Sequence, residues 1–263
     1  MVASKTTLIV TGVARSGTTA LAELLNAHPE ICVGIERFKF QYLRAGNYDA
    51  GLFTFDRFFD FKEEDTNIIP AQRPHWKTVY DAIEAKWEGA RIVGDKVPDL
   101  TPILGDFFAE NPGFKYIYIL RNLKDVALSW QARADRARDR WPASRGFAAA
   151  CKSWDEQQTA IHEFCRQPEV QDRLLLLDYD RMFDPDVQTE QALLGFLDLQ
   201  PSEEFTRMLE SHREFTVNRP KKRVPKKFVS AYKDVDMGTM RALRRLSQEQ
   251  MQHWSSIAVS GCH

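Results

Sequence analysis

Arg15, Ser16, Gly17, Thr18 and Thr19 follow one another within Leu8–Thr19, LIVTGVARSGTT, behind an apolar run and ahead of a helical pattern. A turn between strand and helix aims unpaired backbone N–H groups and the positive helix end at one point, and an anion sits there. Gly17 lets the backbone approach a ligand closely, while Thr18 and Thr19 add hydroxyl donors. The spacing from Gly12 to Gly17 copies the GxxxxGK[ST] loop that binds nucleoside triphosphates, but Thr18 stands where that loop has its lysine. That lysine reaches the β- and γ-phosphates, and the hydroxyl after it holds Mg²⁺. The nearest cation here is Arg15, at the front of the loop. The loop therefore suits a shorter 5′-anion with no obligatory metal.

A second group lies in Tyr116–Trp130, YIYILRNLKDVALSW. Arg121 follows a buried-strand pattern, at the carboxyl end where open α/β sheets bind ligands. Ser129 comes eight residues later, about two turns into the next helix. Arg121 can offer a phosphate two parallel hydrogen bonds, and Ser129 can add a hydroxyl. Taken alone, the pair reads more readily as a strand-end arginine paired with Asp125 and an exposed serine.

The elements that position these residues alternate along the chain. Strand patterns cover Thr7–Thr11, Ile31–Ile35, Arg91–Val93, Phe114–Leu120 and Arg173–Leu177, the last two apolar enough for a sheet buried on both faces. Helical spacing places a helix through Leu21, Leu24 and Leu25, ending near His28-Pro29, and others over Asp125–Arg138, Phe147–Phe164, Gln188–Leu197 and Thr239–Trp254. Such alternation predicts one α/β domain over 1–263 with a mostly parallel sheet.

Composition narrows the class. With 263 residues, 43% of them apolar, the chain can bury a sizeable core, which excludes a disordered segment and a disulfide-stapled miniprotein. Its 36 basic and 37 acidic residues give a net charge of −1, unlike a basic nucleic-acid coat. No run approaches the roughly 20 apolar residues of a membrane span. Met1–Thr7 lacks the apolar core of a secretory signal, so a soluble cytoplasmic protein is expected. The four cysteines, Cys32, Cys151, Cys165 and Cys262, have no C-x-x-C spacing, so a thiolate metal site is not expected and the thiols are read as reduced. Two segments depart from the average. Residues 38–87 hold 12 of the 30 aromatics, as a second small core or as an aromatic cover for an acceptor over 38–90. Arg213–Lys227 carries seven basic residues against one acidic, and is expected to close, within a loop over 213–230, on a phosphorylated ligand.

Together these motifs resemble the sulfotransferases that use 3′-phosphoadenosine 5′-phosphosulfate. VARSGTT is similar to their 5′-phosphosulfate loop, and Arg121 with Ser129 in LRNLKDVALS to their 3′-phosphate motif. The likeness runs through RSGTTALAELLNAHPEICVGIE, in the style of the tyrosylprotein sulfotransferases and bacterial relatives, and continues in GDKVPDLTP and LLLLDYDRMFDPDVQTEQALLGFLDL. It implies a P-loop-like three-layer fold with about five central strands flanked by helices. It implies in-line transfer of a sulfuryl group to an acceptor hydroxyl on a small molecule, glycan or peptide, with adenosine 3′,5′-bisphosphate as product, no metal and no nucleic-acid partner. Arg15 and Ser16–Thr19 would hold the 5′-phosphate, Lys96 would stand near the leaving group, Arg121 and Ser129 would bind the 3′-phosphate, and Tyr179 would lie near the nucleotide. Glu36 matches the glutamate that acts as base in the tyrosylprotein branch. Burial is expected to raise its pKa; pairing with Arg37 or a lysine is the plain alternative. His75 is the rival base, because other branches use histidine, and His28 reads as a helix-end residue. The tyrosylprotein branch has arginine where this chain has Phe38 and carries a membrane anchor, which argues against protein-tyrosine acceptors. No glycine-rich C-terminal donor contact is evident; Lys222, Lys226 or Lys227 could replace it. A nucleotide kinase or NTPase, opposed by Thr18, and a non-catalytic nucleotide-binding protein, opposed by Lys96 and Glu36, remain the alternatives.

Overall fold

Five strands form the centre of the structure, a computed structural model that describes residues 5–138, 140–217 and 222–260. They are β1 (Thr6–Gly12), β2 (Ile31–Ile35), β3 (Ile92–Lys96), β4 (Lys115–Leu120) and β5 (Leu174–Asp178). The order across the sheet is β2-β3-β1-β4-β5, and every pairing is parallel. Around it lie α1 (Thr18–Ala27), α2 (Phe55–Phe59), α3 (Pro74–Lys86), α4 (Leu104–Glu110) and α5 (Leu123–Ala134). There follow α6 (Phe147–Phe164), α7 (Thr189–Leu197), α8 (Glu203–Val217), α9 (Val229–Lys233) and α10 (Gly238–Ser260). This is the expected α/β architecture.

The chain leaves β1 toward one edge of the sheet and, after β3, crosses β1 to build the other half. Right-handed crossovers running in opposite directions put α1 on one face and α4 on the other. The crevice of such a sheet opens at its carboxyl edge, where the direction reverses beside β1. Register fixes what meets there. Val10 faces Lys96 on one side and Ile117 on the other, and Ile35 also pairs with Lys96. The residues after β1, β2, β4 and β5 are therefore Val13, Glu36, Arg121 and Tyr179, all on one rim.

Strand β3 runs three residues past the Arg91–Val93 pattern and starts one later. Its added residues, Gly94, Asp95 and Lys96, are buried. A Cβ at Gly94 would overlap the Leu8 carbonyl, so the close approach of β3 to β1 requires glycine. Helix α5 stops at Ala134, short of Arg138, with Asp135 as its C-cap. Cys32, Cys151 and Cys165 are buried free thiols, pushed up by burial to about 11, 11 and 12; Cys262 lies outside the described residues.

Of the two expectations for the aromatic segment 38–87, a separate second core is not what forms. Phe38, Tyr42, Phe53 and Phe58 belong to the same continuous core as the sheet rather than to one of their own. Phe38 packs edge-on against Phe53 and Phe58, and Tyr42 against Phe107 of α4. Most of the rings pack into that core, while Phe55 is 40% exposed, and Trp76 is the only one of the twelve among the described residues lining the cavity below. No helix among the described residues is long and apolar enough to cross a membrane.

Candidate active site

The loop after β1 is held by its neighbours and turns its own amides outward. Ser16 N–H donates to Val13 O at 2.9 Å, and Ala14 N–H to Asp99 Oδ1 at 2.7 Å. The first bond into α1 is Leu21 N–H to Gly17 O at 3.1 Å, so the amides of Thr18, Thr19 and Ala20 have no acceptor within the helix. Gly17 has φ 108°, and a Cβ there would strike the Tyr179 ring. Both facts require glycine. Ser16 Oγ is buried with no hydrogen-bond partner among the described residues. A turn of free amides at a helix N-terminus fits the phosphate end of a nucleotide donor.

Arg121 is tied to this loop. Its Nη1 donates to Arg15 O at 3.0 Å, its guanidinium lies 4.5 Å from the Tyr179 ring centre, and Trp154 Nε1 donates to its carbonyl at 2.9 Å. Arg15 Nε donates to Ser129 Oγ at 3.2 Å, so the two motifs, more than a hundred residues apart in sequence, touch. Asp125, the partner in the plain reading, stands 3.9 Å from Arg121. Asn122 caps α5 by accepting from Asp125 N–H at 2.9 Å, and Asp180 accepts from Asn122 N–H at 2.9 Å. Arg244 of α10 pairs with Asp178 at 3.0 Å and also with Asp180, which joins the end of β5 to the start of α5.

Glu36, directly after β2, has φ 52°. Asp95 enforces that turn: its carboxylate accepts from Arg37 N–H at 2.9 Å and from Phe38 N–H at 2.8 Å. Arg37 turns away from Glu36 into a buried pair with Asp65 at 2.9 Å. Glu36 instead sits between two lysines, with Lys39 Nζ at 2.7 Å and Lys96 Nζ at 3.4 Å. Burial pushes the Glu36 carboxyl up, but the two ammonium groups outweigh it and hold it below the ordinary 4.5. The expected rise is thus reversed. Lys96, only 2% exposed, has its own pKa lowered by burial.

A cavity of about 790 Å³ is lined by Gly17, Thr18, Thr19, Glu36, Lys96 and Arg121 among others. Arg15 and Tyr179 line both it and a neighbouring cavity of about 680 Å³ that contains Ser129. Ser16 lies beneath the loop and lines neither. Lys222 lines the second cavity, whereas Lys226 and Lys227 sit in a short turn where Phe228 stacks on Phe147 at 4.5 Å. Of the basic run, residues 218–221 lie outside the described residues, and Arg213 donates to Val187 O. His75 is exposed on α3 beside Trp76 and lines neither cavity; His28 is buried at the end of α1, where it accepts from Glu30 N–H.

Sequence reasoning missed Asp99, Asp95 and Lys39. Asp99 accepts from Ala14 N–H, from Gln157 Nε2 at 3.0 Å and from Arg145 Nη2 at 3.0 Å, and has φ 61°. Its only local signal is its place three residues after Lys96 in GDKVPD. No group of three or more metal-ligating His, Cys, Asp or Glu side chains forms among the described residues.

Residues 7–204 match the model of the sulfotransferase family. The chain belongs to that family. No curated protein matches it. Among solved structures, mouse sulfotransferase SULT7A1 complexed with PAP is similar at 14% identity and a TM-score of 0.50, over 98% of this chain and 89% of that one. Sulfotransferase STF1 from Mycobacterium tuberculosis is similar at 16% identity and a TM-score of 0.50, over 94% of this chain and 77% of that one. The sulfotransferase domain of the Synechococcus olefin synthase aligns at 16% identity and a TM-score of 0.48, over 96% and 95%. At such identities the likeness is one of fold. The family match is what supports sulfuryl transfer as the chain's chemistry.

Proposed function

We propose that this sulfotransferase moves a sulfuryl group from 3′-phosphoadenosine 5′-phosphosulfate to an acceptor hydroxyl, with Glu36 as base. The observation that carries this is one cavity shared by the free amides after Gly17, by Arg121 and by the Glu36–Lys96 pair. The donor, when bound, supplies an activated sulfur whose bond to the 5′-phosphate oxygen breaks as the bond to the acceptor oxygen forms.

The chain's own residues supply the rest. Amides of Thr18 and Thr19 with Arg15 would hold the 5′-phosphate, and Arg121, Ser129 and Lys222 the 3′-phosphate. Lys96, buried beside Glu36, would stand where negative charge grows on the departing oxygen, and a preorganised cation there would lower the barrier. Glu36 takes the proton from the attacking hydroxyl. Because two lysines keep it ionised, it is in the accepting form throughout the neutral range. The products are a sulfate ester and adenosine 3′,5′-bisphosphate.

The test is ligand-dependent melting. Adenosine 3′,5′-bisphosphate without metal should raise Tm by several degrees at about a hundredfold over Kd, which corresponds to about 2.7 kcal/mol, and ATP with Mg²⁺ should not. The opposite ranking would favour a nucleoside-triphosphate enzyme and defeat the proposal. Arg121→Ala should weaken adenosine 3′,5′-bisphosphate far more than adenosine 5′-phosphate in calorimetry; equal losses would reject the 3′-phosphate assignment.

A further inference from the structure

Asp99, three residues past β3, lines the same cavity as Glu36 and Lys96. A carboxylate there opposes an anionic ligand, because like charges in one cleft repel. Its contacts show what offsets that cost. Oδ1 accepts from Ala14 N–H at 2.7 Å and from Gln157 Nε2 at 3.0 Å, and Oδ2 accepts from Arg145 Nη2 at 3.0 Å. Both oxygens are engaged, which is the arrangement of a fixed strut rather than of a base awaiting a proton.

The strut is anchored at both ends. Asp99 N–H donates to the carbonyl of Gly12, the last residue of β1, at 2.9 Å, so one residue holds the chain on both sides of Val13. Gln157 of α6 is itself fixed, accepting from Thr101 Oγ1 at 3.1 Å and donating to Ser153 Oγ at 3.1 Å. The next backbone groups along the loop are gripped in turn. Trp130 Nε1 donates to Ala14 O at 2.8 Å, and Arg121 Nη1 to Arg15 O at 3.0 Å. Three side chains, 85, 116 and 106 residues from their targets, thus fix three consecutive peptide units and hold Arg15 at φ 73°. Of these three, Asp99 alone binds an N–H. Its loss would leave that donor unpaired and free the entry to the turn that aims the Thr18 and Thr19 amides.

We infer that Asp99 is a positioning residue for the donor's 5′ end: by holding Ala14 N–H it sets the direction of the amides that receive the 5′-phosphate. This rests on the sulfuryl-transfer reading and its nucleotide donor.

The experiment is calorimetry on the full chain with adenosine 3′,5′-bisphosphate and adenosine 3′-phosphate, which differ only in the 5′-phosphate. Asp99→Gly removes the carboxylate while keeping φ 61° free of strain. It should weaken the bisphosphate about tenfold or more and leave adenosine 3′-phosphate within about twofold, since the lost bond is one to a charged group. Asp99→Asn keeps a carbonyl oxygen for Ala14 N–H and tolerates a left-handed backbone, so it should recover most of the lost affinity. Were Asp99 only a negative charge beside an anion, both substitutions would tighten the bisphosphate. That gain, or an unchanged affinity in Asp99→Gly, overturns the inference. So do equal losses for the two nucleotides, the mark of a fold weakened as a whole, and an Asn variant no better than the Gly one. In the unsubstituted chain, no preference for the bisphosphate over adenosine 3′-phosphate would instead sink the donor reading at its 5′ end, a failure visible before any variant is made.

Discussion

Glu36 illustrates how one residue acquires its chemistry from two neighbours. Lys39, three residues on, and Lys96, at the end of another strand, keep its carboxylate charged despite burial. The pair of lysines sets the direction of the pH response. With the carboxyl held below 4.5, the acid limb of kcat/KM from this group lies below that value. Replacing Lys39 with Met removes one of the charges holding it there and should move the limb to higher pH, read directly from a pH–rate profile. Glu36→Gln should cost about 10²–10⁴ in transfer rate while calorimetric binding of adenosine 3′,5′-bisphosphate persists. Unchanged transfer would remove Glu36 from the base role. Glu36 itself was visible as the end of an apolar strand in a familiar frame. Its partners were not, because the turn that folds Lys39 back onto it is imposed by Asp95 from β3.

At the scale of elements, legibility followed burial pattern. Ile31–Ile35 and Phe147–Phe164 were readable to the residue, because each is a self-contained apolar period bounded by a turn. Strand β3 was cut short by its own chemistry. Gly94, Asp95 and Lys96 belong to a strand only because β1 and β2 flank them and partners exist for the two charges. Helices α3, α4 and α8 went unread: α3 buries only Tyr80 and Ile83, too few for a helical stripe, and α4 spans only two turns. The same contacts make β3 brittle. Gly94→Ala forces a methyl against the Leu8 carbonyl and should lower stability by about 3 kcal/mol or more, the range of severe core clashes, measurable as a fall in urea midpoint with an unchanged slope. A midpoint equal to that of the unsubstituted chain would show that the strands can separate at no cost.

For the whole molecule, the parallel sheet of about five strands followed from strand–helix alternation and from the resemblance, whereas its order was not legible in the sequence. The grip of Asp99 on the Ala14 amide was not legible either, because it joins residues 85 apart in sequence through tertiary packing that no local period encodes. Global stability should also carry a signature of the buried carboxylate that shapes the site. Burial pushes Asp95 up from 3.8 to about 6, against the pull of two backbone amides. Between those values the folded chain keeps a proton that the unfolded chain has shed, so this group's contribution to stability falls as pH rises from about 4 to about 6. Asp95→Asn has no such proton, and its stability relative to the unsubstituted chain should improve by about 2–3 kcal/mol across that window in urea titrations. A constant difference at both ends would mean that Asp95 titrates normally.

Three non-glycine residues at the rim, Arg15, Glu36 and Asp99, have left-handed backbones, with φ of 73°, 52° and 61°. Each costs on the order of 1–2 kcal/mol that glycine would not. Of the three, Arg15 is the exposed one, so selecting a variant library for heat tolerance alone would favour glycine there, and on the proposed role of Arg15 the survivors would turn over more slowly. Any programme to harden this catalyst has to score turnover in the same round.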